Sequence, residues 1–536
     1  MFVELFNNMN DERSVSFAYN NALFILDGNN YLEYVQIDGS FVVRNAGEDS
    51  FIPTTSISRK PTGGGTIYQA VNCLQPKRKN AFLADGTSTK FVLDTDELDS
   101  KDIFVITAMV NGETKIEDVD FSVDRAKGII TFNEPPPEPI TIGQDNVEIT
   151  FSKTIEDYDS RIAKCRIACI FDNRVFFSGN PDYPNALFHC MVNNPKYVGD
   201  LSYYQDGGDN TSIMSIIHLG ERLAVIKEDN EQDATVFYHT TATDDVLGRY
   251  YPTVQGISSS GCIALNGGVN FRDDPLFITS MGLDAISKLD LSLERCIEHR
   301  SSMVDAKLTN ENELKDCQLC EWNGYLLLLI DGKIYLADSR QKYSSFSNYE
   351  YEWYYWDNIG IYENDVFYKA RIIKEYEGLL IFGTTNGDIC LFNTDLIKYP
   401  GELYSRAYSD DGRVINCCWS TLMDNFGYGN HYKITNKRGG VAKLKSMSHS
   451  ICKLKERTNK SFYKEITRHN GGYFDFNDID FEDFTFNTFE SNNMVYRIKE
   501  KKWIEISLVF YSDELHKPFG LYGAILEAFV GGYIKR

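Results

Sequence analysis

The stretch CQLCEWNGYLLLLIDGKIYLAD, residues 317–338, is three apolar runs separated by Asn323-Gly324 and Asp331-Gly332. Asn-Gly and Asp-Gly between apolar runs are the strongest short-range hairpin signals, because both central positions of the tight turn require positive φ. The stretch therefore predicts three antiparallel strands in a meander. The same pattern recurs in SVSFAYNNALFILDGNNYLEYV (14–35), CRIACIFDNRVFFSGN (165–180), SIMSIIHLGERLAVIKE (212–228), CIALNGGVNFRDDPLFITSMGLDAIS (262–287) and RIIKEYEGLLIFGTTNGDICLF (371–392). From Cys165 onward these units start about every 50 residues, the spacing of propeller blades built from strand meanders. A solenoid or stacked sandwiches would also use such units, but radial closure is the common way to protect so many short edges. The expected fold is an all-β β-propeller of about six blades.

Composition agrees with strands. Apolar residues make up 43% of the 536, and 33 Tyr and 34 Phe favour half-buried strands over helices. The formal net charge of −23 excludes a broad nucleic-acid-gripping face, since such a surface repels phosphates. No apolar run approaches the ~18 residues of a membrane-spanning helix, and the N-terminus lacks the basic start of a signal peptide. Twelve scattered cysteines suggest reduced thiols and a cytosolic folding environment, not a disulfide framework.

The first and second units lie about 75 residues too far apart for the period. The excess, 79–153, carries strand-turn-strand segments with turns at Asp85-Gly86, Asn111-Gly112 and Lys127-Gly128, and predicts an inserted small β-sandwich. Pro135 to Pro137 mark a connection, because proline cannot donate to a ladder. The expected organisation is 1–78 as a first blade and a Pro/Gly-rich strap, 79–153 as the insertion, 154–400 as blades, and 401–536 as a β-sandwich-like C-terminal domain. In the last, YFDFNDIDFEDFTFNTF (473–489) alternates aromatic and acidic or small polar residues as a half-buried strand does.

The segment 57–79 concentrates Arg59, Lys60, Pro61, Gly63, Gly64, Gly65, Lys77, Arg78 and Lys79 in an acidic chain. It is not a Walker phosphate loop, which needs Gly-x4-Gly-Lys-Ser/Thr ahead of a helix. Proline favours extended backbone before it and glycine permits turns or close approach, so the segment reads as an extended strap long enough to cross a subunit boundary.

Other motifs are weak. Cys317-x2-Cys320 lacks two further zinc ligands. The acids Asp478, Asp480, Glu482 and Asp483 lack the glycine and twelfth-position Glu of a calcium loop. No Gly-x-Ser-x-Gly elbow occurs, the eight histidines are scattered, and no carboxylate pair can be placed. No catalytic residue, metal or cofactor is expected.

Two resemblances add to this reading. Residues 82–153 resemble the small β-domain near the N-termini of phage tail fibre proteins, through Asp85-Gly86, Phe91-Val92-Leu93, Asn111-Gly112, Asp120-Phe121-Ser122-Val123, Gly128-Ile129-Ile130-Thr131-Phe132 and Val147-Glu148-Ile149-Thr150-Phe151. A longer, Pro-rich last connection departs from that pattern. The whole chain, through IPTTSISRKPTGGGT, LQPKRKNAFLADGTST, NRVFFSGNPDYPN and FDFNDIDFEDFTF, resembles structural proteins of phages and prophages of Gram-positive bacteria, and its plan is similar to the tail nozzle or hub of short-tailed phages. That resemblance implies a virion tail component, assembled in the host cytoplasm and free of catalysis. It implies a homo-hexameric ring around the DNA exit channel, next to a portal or adaptor ring and tail fibre or other tail proteins. Double-stranded DNA would pass non-specifically through it, with no membrane insertion. The strap would then pack on the adjoining protomer or the adaptor, and Arg174 and Lys227 would touch DNA. A receptor-binding or fibre-anchoring virion protein is the alternative function, and a glycan-acting propeller enzyme is a third reading.

Overall fold

The structure is a computed structural model that describes residues 4–208, 210–230, 233–244, 248–288, 295–339, 351–392, 408–444, 450–460, 464–468, 493–496 and 500–534. The chain divides into two compact units, Met1–Tyr355 and Trp356–Arg536. Among the described residues almost all regular structure is strand, with two short helices, Tyr158–Ala163 and Asp305–Leu308. No helix is long and apolar enough to cross a membrane.

The first unit contains a series of four-stranded antiparallel meanders. The first is Val15–Tyr19, Ala22–Leu26, Tyr31–Ile37 and Ser40–Asn45. The second is Ile167–Phe171, Arg174–Ser178, Ala186–His189 and Tyr203–Gln205. The third is Ile213–Leu219, Arg222–Lys227, Val236–Thr240 and Thr253–Gln255. The fourth is Gly268–Phe271, Asp274–Thr279, Gly282–Lys288 and Arg295–His299. The fifth is Gln318–Trp322, Tyr325–Ile330, Lys333–Asp338 and Glu352–Trp356. In the second unit a sixth runs through Gly360–Glu363, Val366–Tyr376, Leu379–Thr384 and Ile389–Leu391.

The tight turns lie where the sequence places them. Asn20 and Asn21, Asp172 and Asn173, Asn323 and Gly324, and Asp331 and Gly332 all have positive φ. The meanders have four strands, however, where three are expected. In the middle meanders the fourth strand follows a long connection, such as 190–202 or 241–252, instead of an Asn-Gly or Asp-Gly turn. Nothing local announces it.

Packing explains the continuous apolar runs. Arg174–Ser178 and Asp274–Thr279 are buried at every position, and Tyr325–Ile330 at all but its first. Burial on both faces requires a sheet on either side. The core is accordingly layered. Phe24 and Tyr31 of the first meander meet Phe177 and Phe188 of the second. Phe171 and Phe176 meet Val225 and Phe237 of the third. Ile226 and Tyr238 share one cluster with Leu276, Ile278, Leu326 and Leu328 of the fourth and fifth. The first strands of these five meanders neighbour one another in chain order.

The segment before the first strand crosses the starts of later meanders. Arg13 Nη1 donates to Leu265 O at 3.1 Å and to Cys317 O at 3.3 Å, the residues just ahead of the fourth and fifth meanders. Asn266 Nδ2 donates to Arg166 O, ahead of the second. Arg13 thus ties the start of the first meander to the starts of the fourth and fifth.

Two further bodies carry their own cores. The insertion has a six-stranded sheet in the order Glu113–Ile116, Thr107–Val110, Val147–Ser152, Lys77–Phe82, Thr54–Arg59, Thr66–Ile67, and a three-stranded sheet of Phe121–Asp124, Ile129–Phe132 and Lys90–Val92. Both sheets face one cluster that includes Phe82, Phe91, Phe121, Phe132 and Phe151. In the second unit, Cys417–Ser420, Ile506–Ser512, Cys452–Thr458 and Lys464–Arg468 form one sheet. Asn493–Tyr496, Lys501–Trp503 and Leu521–Tyr533 flank His431–Leu444 in another. Trp503, Tyr496, Leu454 and Phe510 fill the core shared by these two sheets. The alternating stretch 473–489 lies outside the described residues.

Arg13→Ala is expected to lower the stability of the first unit by about 1.5–3 kcal/mol, the usual range for hydrogen bonds to a charged donor. Urea unfolding followed by tryptophan fluorescence measures it; an unchanged midpoint contradicts the linking role.

Candidate assembly surface

The strap is folded into the insertion's own sheet. Thr54–Arg59 runs parallel to Lys77–Phe82, and Thr66–Ile67 returns antiparallel on Thr54–Arg59. Gly63, Gly64 and Gly65 turn that hairpin with φ of 107°, 80° and 97°, three successive values that favour glycine. At Gly65 a Cβ would lie 2.5 Å from Arg59 Cγ and 2.7 Å from Ile57 O, whereas at Gly64 it would meet nothing. The glycine triplet is therefore required by the hairpin itself. Pro61 O accepts from Val92 N, and exposed Lys60 bridges to Gly63 through backbone.

The cations of this segment find partners inside the chain. Arg59 donates to Val92 O and Ser56 Oγ and lies over the Phe82 ring. Arg78 donates to Lys153 O and faces Phe151. Burial holds both guanidinium pKa values down, against the opposing pull of Asp94. Asp94 in turn accepts from Thr55 Oγ1, and its backbone N–H donates to Asn80 Oδ1. Lys79 pairs with Glu148 at 2.8 Å, and Lys77 sits over Phe104.

The chain between the two parallel strands is tied to the second meander. Asn72 Nδ2 donates to Phe51 O and Lys196 O, Cys73 N to Val198 O, and Tyr197 OH to Ala70 O. What the segment leaves in solvent includes its returning strand, with Ile67 89% and Tyr68 61% exposed at the outer edge of the sheet. Next to the same sheet, Met109, Pro139, Ile140 and Glu148 line an open groove of about 350 Å³.

The two cations expected to reach DNA do not reach solvent. Arg174 is 7% exposed, donates to Cys190 O at 2.9 Å and lies against Tyr251. Lys227 is 0% exposed and donates to Asp206 O at 2.9 Å. Both sit on strands buried on two faces, so the strand period that would turn alternate residues outward does not apply. The expectation of DNA contacts at these two residues is corrected.

Two histidines are far from isolated. Buried His239 faces Asp206 through Nε2 and Tyr251 O through Nδ1. His299 Nδ1 lies 2.7 Å from Asp284 and Nε2 2.6 Å from Asp305. Burial alone would lower the His299 pKa, but the two carboxylates outweigh it and raise it above the usual imidazole value. Asp284 and Asp305 lie fifteen residues upstream and six downstream of His299. No local spacing betrays the pairing. All twelve cysteines are free thiols, Cys317 and Cys320 among them, and no group of three or more His, Cys, Asp or Glu among the described residues is placed to hold a metal ion.

No protein-family model and no curated protein matches the chain. Among solved structures it is similar to PorZ, a bacterial surface component of the type-IX secretion system of Porphyromonas gingivalis, at 10% identity and a TM-score of 0.28 over 87% of this chain and 46% of that one. The chain thus spans about half the length of PorZ. It is also similar to human WBSCR16, at 10% identity and a TM-score of 0.26 over 56% of this chain and 76% of that one. An exo-β-1,3-galactanase of Phanerochaete chrysosporium matches at 8% identity and a TM-score of 0.21 over 67% and 95%. Likenesses this low carry neither fold nor function to this chain.

Gly64→Ala is expected to cost about 1–2 kcal/mol, the left-handed penalty alone, and Gly65→Ala distinctly more because its Cβ also strikes backbone. Equal urea midpoints for the two variants contradict that placement. The His299 contribution is full below its unfolded pKa and fades as pH rises through the raised folded pKa, so wild-type stability is expected to fall from pH 6 to pH 8 more than that of His299→Gln. Thermal melts across that range check it, and parallel curves refute the carboxylate clamp.

Proposed function

We propose that this chain is the repeating subunit of a ring in a phage tail, a nozzle, hub or head-tail connector whose lumen passes double-stranded DNA. Its meanders are the blades of a β-propeller of about six blades, in keeping with blade-type spacing. Six copies form the ring, next to a portal or adaptor ring and to tail fibre or other tail proteins. The ring gates genome retention and ejection mechanically and carries out no catalysis.

The observation that supports this reading most is electrostatic. A chain of formal charge −23 draws Arg174 and Lys227 inside and holds Arg59 and Arg78 in its own sheet. Basic contacts anchor phosphates and release counterions, so a conduit works best without them. The layered cores suit the role too, since sheets buried on both faces make a wall that resists deformation.

The fibre-like insertion favours a second reading, a receptor-binding or fibre-anchoring virion protein. Its exposed groove and hairpin tip offer a place for another tail protein.

Negative-stain microscopy of the purified chain separates these readings. Rings with a central hole are expected; trimers or elongated particles favour the fibre-anchoring role, and monomers at micromolar concentration overturn both.

A further inference from the structure

In the second unit, residues 421–430, TLMDNFGYGN, connect Cys417–Ser420 to His431–Leu444. This loop leaves large apolar side chains in water. Leu422 is 85% exposed, and Met423, Phe426 and Tyr428 are exposed with it. Ile434 and, opposite it, Phe529 continue that exposure along the outer face of the sheet. Apolar patches of this kind mark interaction sites.

Bonds from the sheets hold the loop in this form. Thr421 N donates to Leu508 O, and Asp424 and Ile506 exchange both backbone hydrogen bonds. The Asp424 carboxylate accepts from Phe426 N, and Asn425 Oδ1 from Gly427 N. Tyr428 O accepts from His431 N and from the buried Lys433 Nζ at 2.8 Å. Phe426 takes a φ of 51°, a left-handed conformation that is an outlier for so bulky a side chain. Such strain persists only where the surroundings impose it, and it clusters at functional sites. The anchors thus fix the backbone with Leu422 and Met423 outside.

The charges around these anchors say what fits the loop. Asn459 N donates to Glu505 O and Asn459 Oδ1 accepts from Ile504 N, and Lys460 Nζ lies over the Tyr432 ring. Lys501–Trp503 pairs with Lys433 and Ile434. Lys460, Lys501 and Lys502 are exposed, and among the described residues none of the three has an ion-pair partner. Asp424 and Glu505 face the buried Lys433 and offset its charge. What meets solvent beside the apolar loop is therefore cationic, in a chain of net charge −23. The distant acids act weakly here, because fields are screened beyond about 8 Å at physiological salt. Apolar side chains flanked by lysines match the two layers of an anionic bilayer surface, acyl chains and phosphates. Tyr428 is of the type enriched at headgroup level.

We propose that the loop 421–430, with Lys460, Lys501 and Lys502, is a docking surface for an anionic lipid membrane. Leu422 and Met423 enter the boundary between headgroups and acyl chains, and the lysines meet the phosphates. The chain lies on the bilayer and does not cross it. Three lysines near such a surface strengthen binding roughly a hundredfold. The surface belongs to the single chain, so it stands whether or not copies assemble into a ring.

Flotation of the purified full chain with vesicles tests it, with phosphatidylglycerol–phosphatidylcholine mixtures set against phosphatidylcholine alone. The chain is expected to bind the anionic vesicles at least tenfold more tightly than the neutral ones, and less tightly at high salt. Leu422→Ser/Met423→Ser and, separately, Lys460→Gln/Lys501→Gln/Lys502→Gln are each expected to lower that affinity at least tenfold at unchanged circular dichroism. If the first variant misfolds, the lysine variant decides alone. No binding to anionic vesicles, equal binding to neutral ones, or a folded variant that binds as the wild type does overturns the docking surface and points to a protein partner for the loop. None of these outcomes bears on whether rings form.

Discussion

A four-stranded meander with an apolar second strand has two faces to hide, and water tolerates neither. Val175, Phe176 and Phe177 are all buried, as are Leu276, Phe277 and Ile278, and Leu326 to Leu329. Successive residues of a strand point to opposite faces, so such a run requires a neighbour on both. Each described sheet in the middle of the series meets that demand with the sheet before and the sheet after it. The adjacency of the first strands and the reach of Arg13 into two later meanders follow from the same packing.

Polar groups inside the stack are held by partners distant in sequence. Arg300 spans to Asp274 with two nitrogens, and Tyr351 donates to the same carboxylate. Lys196 and Arg44 share Glu33, and Lys333 and Tyr335 share Glu311. A buried charge survives only when paired, so these clusters fix which strands face one another.

What was legible in the sequence is what local chemistry decides. Turns such as Asp331-Gly332 show themselves because few residues accept positive φ, and the insertion shows itself as a break in the period. The fourth strands do not, since connections such as 190–202 lack any turn signature. The strap was legible as extended chain but not as part of a sheet, because its parallel pairing with Lys77–Phe82 joins strands across a loop. Arg174 and Lys227 look like outward cations in the sequence, which shows a charge and hides the strand's second neighbour. His299 and its two carboxylates come together only through tertiary structure. The apolar outer face of the C-terminal strand has the same alternation as a core strand, and only exposure tells them apart.

A chain of net charge −23, whose acid excess lies before residue 410, is suited to surround a polyanion without holding it. The most direct measurement is a cryo-electron-microscopy reconstruction of the particle formed by the purified full chain. A closed ring whose central opening is walled by carboxylates is the expected result. A particle without a lumen, or one whose opening is lined by lysine and arginine, contradicts it.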